Sequence, residues 1–167
     1  MVGLVFAMEE EAACILKEYS FTKTSMRGRD FYVEDSDKGH DKIIVVISGV
    51  GKVNAQIATS ILIAIGCNRI VNIGTCGSTG SKFKPGDLVE PTVFFDGDFD
   101  LSVMDVSTKD PALVNREMNS DSVVCYTYST FITDERASRG VVDMEAYGIV
   151  AQSKVFDTPV RVIKVVS

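Results

Sequence analysis

The sequence predicts an α/β protein built on a largely parallel central sheet. Short apolar runs of strand length alternate with longer segments of helical spacing along most of the chain. The run at residues 2–7 is continuously apolar, which is typical of parallel strands that are covered on both faces. A length of 167 residues and a hydrophobic content of 46% fit a single globular domain with a sizeable core.

The first half of the chain alternates strands and helices. We predict strands at residues 2–7, 31–34, 42–48 and 69–74, and helices at residues 8–19 and 53–66. The strands at 31–34 and 42–48 read as an antiparallel pair joined by a polar turn at 35–41. Glycine-containing turns are predicted at 49–52 and 75–80, and the second helix ends at a glycine.

The second half is less regular. We predict an extended stretch at 86–95, strands at 123–128 and 161–166, the end of a strand at 141–142, and a helix at 143–155. Residues 134–140 are short and charged, and residues 96–122 are polar without a periodic pattern. No internal repeat or low-complexity tract interrupts the chain.

Composition excludes several classes of function. A net charge of −6 without a basic block argues against a nucleic-acid partner, because phosphate binding needs clustered Lys and Arg. The longest apolar run, residues 61–67, is too short for a bilayer, and the amino terminus lacks the basic leader of a signal peptide. His40, the single histidine, falls in the predicted polar turn, so we expect neither a metal site nor a His-based triad, and no organic cofactor.

The four cysteines show no metal-binding or redox spacing. Cys14, Cys67, Cys76 and Cys125 are scattered, mostly among apolar residues. This pattern predicts buried free thiols and a reducing cytoplasm.

Three consecutive glutamates open the first predicted helix. On a helical wheel Glu10 points to water, while Glu9 and Glu11 flank the core-facing stripe of Met8, Ala12, Ile15 and Tyr19. Negative charge in a first turn is stabilised by the helix dipole, which explains such residues without any function. A carboxylate aimed into a pocket is the alternative, and the wheel does not choose between Glu9 and Glu11.

A second acidic pair opens the predicted helix at 143–155. This helix is apolar nearly all round and is therefore predicted to be buried. Asp143 reads as an N-cap or as a surface charge. For Glu145 we favour a functional role over a surface charge, because a buried carboxylate is costly unless it is paired or hydrogen-bonded.

Two junctions in which a strand runs into glycine-containing residues are further candidates for a ligand site. Residues 72–78 carry a buried strand into small residues at its carboxyl end, the edge where α/β proteins bind ligands. Residues 48–55 form a similar junction, in which Lys52 is either a phosphate ligand or a solvated lysine.

These segments together resemble the methylthioadenosine/S-adenosylhomocysteine nucleosidases of the nucleoside phosphorylase superfamily. The resemblance is carried, in order, by residues 7–11 (AMEEE), 48–55 (SGVGKVNA), 72–77 (NIGTCG), 85–89 (PGDLV) and 143–146 (DMEA). It implies a single three-layer αβα domain over residues 1–167, with a central mixed, partly closed sheet, and a homodimer. It also implies hydrolysis of the N-glycosidic bond between ribose and a purine.

The resemblance also assigns roles to individual residues. Glu11 matches the catalytic glutamate that handles the attacking water, Glu145 matches the glutamate that binds the ribose hydroxyls, and Met144 packs on the sugar. Phe131 and Ile132 resemble the pair at the base pocket. The remaining expected substrate-binding residues are Met8, Val50, Thr75, Cys76, Gly77 and Asp143.

Hydrolysis is favoured over phosphorolysis. The phosphorylase relatives place an arginine two residues before the loop glycine, where this chain has Asn72, and their amino-terminal turn carries Gly and Arg in place of residues 8–11. A phosphate-dependent phosphorylase and a catalytically impaired nucleoside-binding relative remain the alternatives, with a purely structural protein as a further class.

The sequence departs from the family pattern at its carboxyl end. The family's general acid is an aspartate directly after a strand ending in serine, and here the sequence stops at Ser167, before that aspartate and before the family's closing helix. Lys164 stands where the nucleosidases often have arginine. It is either an altered pocket contact or a solvated residue. The segments 96–122 and 133–140 are shorter than in the well-known nucleosidases, where they help to shape the pocket for the 5′ substituent of the sugar. The identity of the nucleoside therefore stays open, and futalosine-like nucleosides are among the candidates.

Overall fold

The structure is a computed structural model that describes residues 1–35, 39, 41–78, 80, 82–99, 113–114, 122–136 and 140–167. The described residues form three helices and eleven strands. The helices are α1 (Glu9–Glu18), α2 (Lys52–Ala64) and α3 (Ala146–Val155). The strands are β1 (Val2–Phe6), β2 (Phe21–Met26), β3 (Arg29–Glu34), β4 (Ile43–Ile47), β5 (Arg69–Cys76), β6 (Leu88–Val89), β7 (Val93–Asp96), β8 (Leu113–Val114), β9 (Val124–Thr127), β10 (Val141–Asp143) and β11 (Val160–Val166).

The strands form two mixed sheets. The larger has the order β2-β3-β4-β1-β5-β11-β6, in which the four strands from β4 to β11 are parallel and the outer ones antiparallel. The smaller has the order β10-β9-β7-β8. A bridge between Gly77 and Val142 joins them, with reciprocal backbone hydrogen bonds of 2.8 Å. The mixed sheet is as expected, but among the described strands it is not closed.

Helices cover both faces of the larger sheet. Successive residues of a strand point to opposite faces. Val5 packs with α2 and α3 in one apolar cluster, whereas Leu4 and Phe6 pack with Ala12 of α1 in another. Helix α3 also packs against the smaller sheet, where Ala146 and Val150 join its core. This confirms the predicted α/β class and its three layers.

Several predicted boundaries were wrong. The stretch at 86–95 is not one extended segment: β6 pairs with β11 in the larger sheet, while β7 belongs to the smaller one. Strand β5 continues through Cys76, so Thr75 and Cys76 lie in a strand and not in a loop. Strands β2 and β8 were not predicted.

Other sequence-based expectations meet mixed outcomes. The antiparallel pairing of β3 with β4 is confirmed. Cys67, Cys76 and Cys125 are buried free thiols, but Cys14 is exposed. His40 and most of the predicted turn at 35–41 lie outside the described residues.

Among the described helices, none combines the length and apolar character that a bilayer crossing requires. Within the described ranges, no group of three or more His, Cys, Asp or Glu side chains is placed to hold a metal ion.

Candidate functional site

A cavity of about 420 Å³ lies where β1, β5 and β10 end. Glu11 and Glu145, 134 positions apart by their numbers, both line it. So do all of the other residues that the sequence analysis expected at a substrate site, namely Met8, Val50, Thr75, Cys76, Gly77, Phe131, Ile132, Asp143 and Met144. The fold therefore assembles in one place residues from four of the five motifs, together with the pair Phe131 and Ile132.

Glu11 is fixed by hydrogen bonds from two strands. Its Oε2 accepts from the backbone N–H groups of Ala7 (3.1 Å) and Met8 (3.3 Å), directly after β1. Its Oε1 accepts from the backbone N–H (2.9 Å) and the hydroxyl (3.2 Å) of Thr75 in β5. Gly74 makes this approach possible, because a Cβ there would lie 2.9 Å from Oε1. The structure thus selects Glu11 over Glu9, whose carboxylate accepts from the Tyr32 hydroxyl away from the cavity.

Glu145 occupies the N-cap position of α3 and is only 6% exposed. Its Oε1 accepts a 2.9 Å hydrogen bond from the backbone N–H of Gly51, at the start of α2. Burial raises the pKa of Glu145, and the neighbouring charges of Asp143 and Glu11 raise it further; Lys164 and the Gly51 N–H oppose them. The net pKa of Glu145 lies above its ordinary value.

Asp143 ends β10 and is held beneath the cavity by protein groups. Its Oδ1 accepts from the Thr127 hydroxyl at 2.6 Å, and its Oδ2 accepts from the Ala146 N–H at 2.8 Å. Lys164 lies 2.8 Å from Oδ2. Burial alone would raise the pKa of Asp143, but Lys164 and these hydrogen bonds bring it below its ordinary value. The helix was predicted from residue 143; it begins at Ala146 because Asp143 caps it from the preceding strand.

The two lysines of uncertain role are both ion-paired. Lys52 contacts Asp96 and Asp98, the latter at 2.8 Å, and Asp98 also accepts from the Ser129 N–H. Lys52 is therefore neither solvated nor free to bind phosphate. Lys164 is 1% exposed, which excludes a solvated residue, and it lies outside the cavity lining.

The walls of the cavity are mostly apolar. Cys76, Ile132 and Val142 are buried, and Phe131 at the rim is 84% exposed. Burial raises the pKa of the Cys76 thiol to about 11, so this group is neutral at physiological pH and does not act as a nucleophile.

Six lining residues were missed by the sequence analysis: Ala7, Ser78, Thr130, Thr133, Val142 and Ser167. Ala7, Ser78 and Val142 each adjoin an expected residue, so the strand ends could have indicated them. Thr130 and Thr133 flank the expected pair Phe131 and Ile132, but they follow β9 in a segment without a periodic pattern that could have oriented them.

Comparisons with known proteins agree with this architecture. A sequence model of the family described as the phosphorylase superfamily matches residues 1–167. A 5′-methylthioadenosine/S-adenosylhomocysteine nucleosidase of Tolumonas auensis is 38% identical over 92 residues, which cover 53% of this chain and 38% of that protein. The chain thus spans about two fifths of the length of this curated relative.

Solved structures share the fold at lower identity. A mutant of MTAN from Helicobacter pylori, with 5′-methylthioadenosine in its active site, superposes with a TM-score of 0.87 at 21% identity and covers 99% of this chain and 84% of its own. A futalosine hydrolase of the same organism gives a TM-score of 0.87 at 21% identity, covering 99% of this chain and 83% of its own. At such identity the likeness concerns the fold alone.

Proposed function

We propose, since this chain belongs to the phosphorylase superfamily, that it is an N-ribosyl hydrolase that cleaves purine nucleosides such as methylthioadenosine or S-adenosylhomocysteine. One observation carries the proposal: Glu11 and Glu145 come from distant parts of the sequence and line the same cavity. The curated nucleosidase relatives support the substrate class.

The chemistry of glycoside cleavage suits two carboxylates. Positive charge grows on the ribose as the bond to the base breaks, and preorganised negative groups stabilise it, by about 10²–10³-fold per group in comparable sites. In this proposal Glu145 accepts hydrogen bonds from the ribose hydroxyls through the oxygen that Gly51 leaves free. Glu11 orients the attacking water and takes its proton, a contribution of about 10²–10⁴-fold.

The surroundings of Glu11 favour an orienting role. Each of its oxygens already accepts two hydrogen bonds, and three of these four bonds are longer than 3.0 Å. A water molecule can displace the weakest of them without moving the carboxylate. The remaining three hold the acceptor in place before substrate arrives, so no reorganisation is needed during the reaction.

The charges around the cavity favour water over phosphate as the second substrate. None of the described residues lining the cavity is Lys or Arg. Lys52 and Lys164 are engaged by aspartates, and Asn72 is buried inside the sheet with its amide donating to the Val5 carbonyl. A phosphate dianion would meet two carboxylates without a cation to pair with.

The neutral residues that line the cavity suit the base. Phe131 and Ile132 supply apolar surface, and Cys76 and Gly77 bring no charge. Met8, Val50 and Met144 are left to contact the sugar and its 5′ substituent.

We also propose a cytoplasmic homodimer. Val53 (68% exposed) and Ile57 (42% exposed) lie four residues apart on α2 and continue from the exposed cavity residue Val50. A second copy of the chain would cover this apolar stripe, and light scattering after size exclusion measures the expected mass. Three buried free thiols fit a reducing compartment.

The test is release of base from 5′-methylthioadenosine, S-adenosylhomocysteine and futalosine, with and without inorganic phosphate. The assay also includes 4-nitrophenyl β-ribofuranoside, whose leaving group needs no proton, so that cleavage of the bond to the sugar is measured without protonation of a base. E11A and E145Q remove the two proposed groups. E10Q is the matched control, because Glu10 is an exposed glutamate of the same helix turn.

Cleavage without phosphate, lost in E11A and E145Q but kept in E10Q, is the expected result. Cleavage that requires phosphate would show a phosphorylase. Absence of cleavage with a rise in melting temperature on adding nucleoside would show a binding protein. Absence of both effects would overturn the assignment of the cavity to nucleosides.

A further inference from the structure

Lys164 is a buried cation that the proposed mechanism leaves unused. It lies on β11, between β5 and β6, with its ammonium group beneath the cavity. Its Nζ is 2.8 Å from Asp143 Oδ2 and 4.0 Å from Glu145 Oε2. One cation therefore serves two carboxylates that are separated by a single residue.

The two carboxylates are not equally supported. Asp143 receives three further hydrogen bonds, from the Thr127 hydroxyl, the Ala146 N–H and, at 3.5 Å, the Cys125 thiol. Glu145, which lines the cavity, receives one, from the Gly51 N–H to Oε1. Of the two, Glu145 is the weaker acid: its pKa lies above the ordinary value, whereas that of Asp143 lies below it. If the positive charge were removed, repulsion between the two would fall most heavily on Glu145.

Protonation of Glu145 would change what it offers to a sugar. An ionised carboxylate only accepts hydrogen bonds, whereas a protonated one donates through one oxygen. It would also lose the negative charge that favours a cationic ribose.

We propose that Lys164 is a positioning residue, which offsets the charge of Asp143 and so keeps Glu145 ionised and able to accept hydrogen bonds from ribose hydroxyls. The part concerning the sugar rests on the proposed function. The part concerning the ionisation of Glu145 does not, and can be measured without turnover.

Four other titratable groups influence this pair within the described part of the chain. They are Asp143 on β10, Cys125 on β9, Cys76 on β5 and Glu11 on α1. Burial raises the pKa of Cys76 to about 11 and that of Cys125 well above its ordinary value. Neither thiol ionises around neutral pH, so an acid-side change reports the carboxylates.

The experiment compares K164M, K164R and the double variant K164M/D143N with the wild-type chain. Carbon-13 carboxylate spectra, assigned with E145Q and D143N, follow both acids across pH. Cleavage of 4-nitrophenyl β-ribofuranoside gives the acid limb of kcat/KM. K17M is the matched control, because it removes one exposed lysine and the same unit of charge. Thermal melting monitors folding.

In K164M we expect Glu145 to titrate roughly 1–3 pH units higher than in the wild type, with the acid limb following it. K164R should restore the wild-type limb, and K164M/D143N should return it part of the way. If Asp143 takes up the proton instead, or if melting falls while Glu145 titrates as before, Lys164 is only a structural residue. An inactive wild type, combined with a shifted Glu145 in K164M, would refute the proposed function and the part concerning the sugar, and would leave the part concerning the ionisation of Glu145 standing.

Discussion

Replacing Gly74 with alanine tests whether the position of Glu11 matters. Gly74 lies in β5 and is not among the glycines with positive φ, so alanine fits its backbone. The new Cβ would lie 2.9 Å from Glu11 Oε1 and 3.3 Å from its Oε2 and Cδ. The three atoms nearest to this Cβ all belong to the Glu11 carboxylate, so the substitution acts first on that group.

The size of the effect follows from these distances. Ordinary contact to a Cβ begins at 3.4 Å, so Oε1 must retreat by up to 0.5 Å, the difference between 3.4 and 2.9 Å. The Thr75 N–H bond to Oε1 would then lengthen from 2.9 Å to about 3.4 Å, which is outside the normal range. A hydrogen bond to a charged group contributes about 1.5–3 kcal/mol. At about 1.4 kcal/mol for each factor of ten, we expect kcat to fall roughly 10–150-fold.

Steady-state kinetics of base release measure this effect. KM should stay near the wild-type value, because the proposed mechanism assigns Glu11 to the water and not to the nucleoside, and the melting temperature should change little. A double-mutant cycle with E11A supplies the control: once the carboxylate is gone, G74A has nothing left to displace.

Two results would refute this reasoning. Full activity in G74A would mean that the position of the Glu11 carboxylate is unimportant for catalysis. An equal loss on the E11A background would mean that alanine acts through the sheet and not through Glu11.

Three further predictions concern the carboxylates and their supports. E145Q should lower kcat/KM by about 10²–10³-fold. It should also raise the stability of the fold, because burial disfavours the ionised form of Glu145. This gain in stability over the wild type should grow as pH rises from the ordinary pKa of 4.5 through the raised pKa, and melting curves across pH test its sign. D143A should cost about 3–5 kcal/mol in urea denaturation, because Lys164 is left buried without its nearest partner. G148A should cost about 1–3 kcal/mol by overpacking, because its Cβ would lie 2.6 Å from the Lys52 carbonyl; unchanged denaturation curves would contradict either estimate.

The buried parallel strands were predictable because β1 and β4 are continuous apolar runs and β5 and β11 are mostly apolar. Strand β2 was not, since five of its six residues are exposed and it lies at the edge of the sheet. Its register is set by the two-residue turn Arg27-Gly28, where both φ angles are positive, 52° and 74°. That geometry is typical of a type I′ hairpin, and the glycine was the available signal.

The site was predictable as a set of motifs but not as a set of contacts. Spacing on a helix could not separate Glu9 from Glu11, because the difference lies in Thr75, 64 residues away. The parallel register that places Val5 beside Asn72 brings the start of α1 to this part of β5. Register between distant strands is not encoded in local pattern.

Backbone groups, more than side chains, fix the geometry of this site. Glu11 accepts from three backbone N–H groups and Glu145 from one, at Gly51. Side-chain substitutions at these donors leave the N–H in place, so the positions of the carboxylates depend on how closely the backbone segments approach. Gly74 permits one such approach, and Gly148 permits another by seating the start of α2 against α3. Substitutions at these two glycines should therefore disturb the cavity more than most substitutions on its apolar wall.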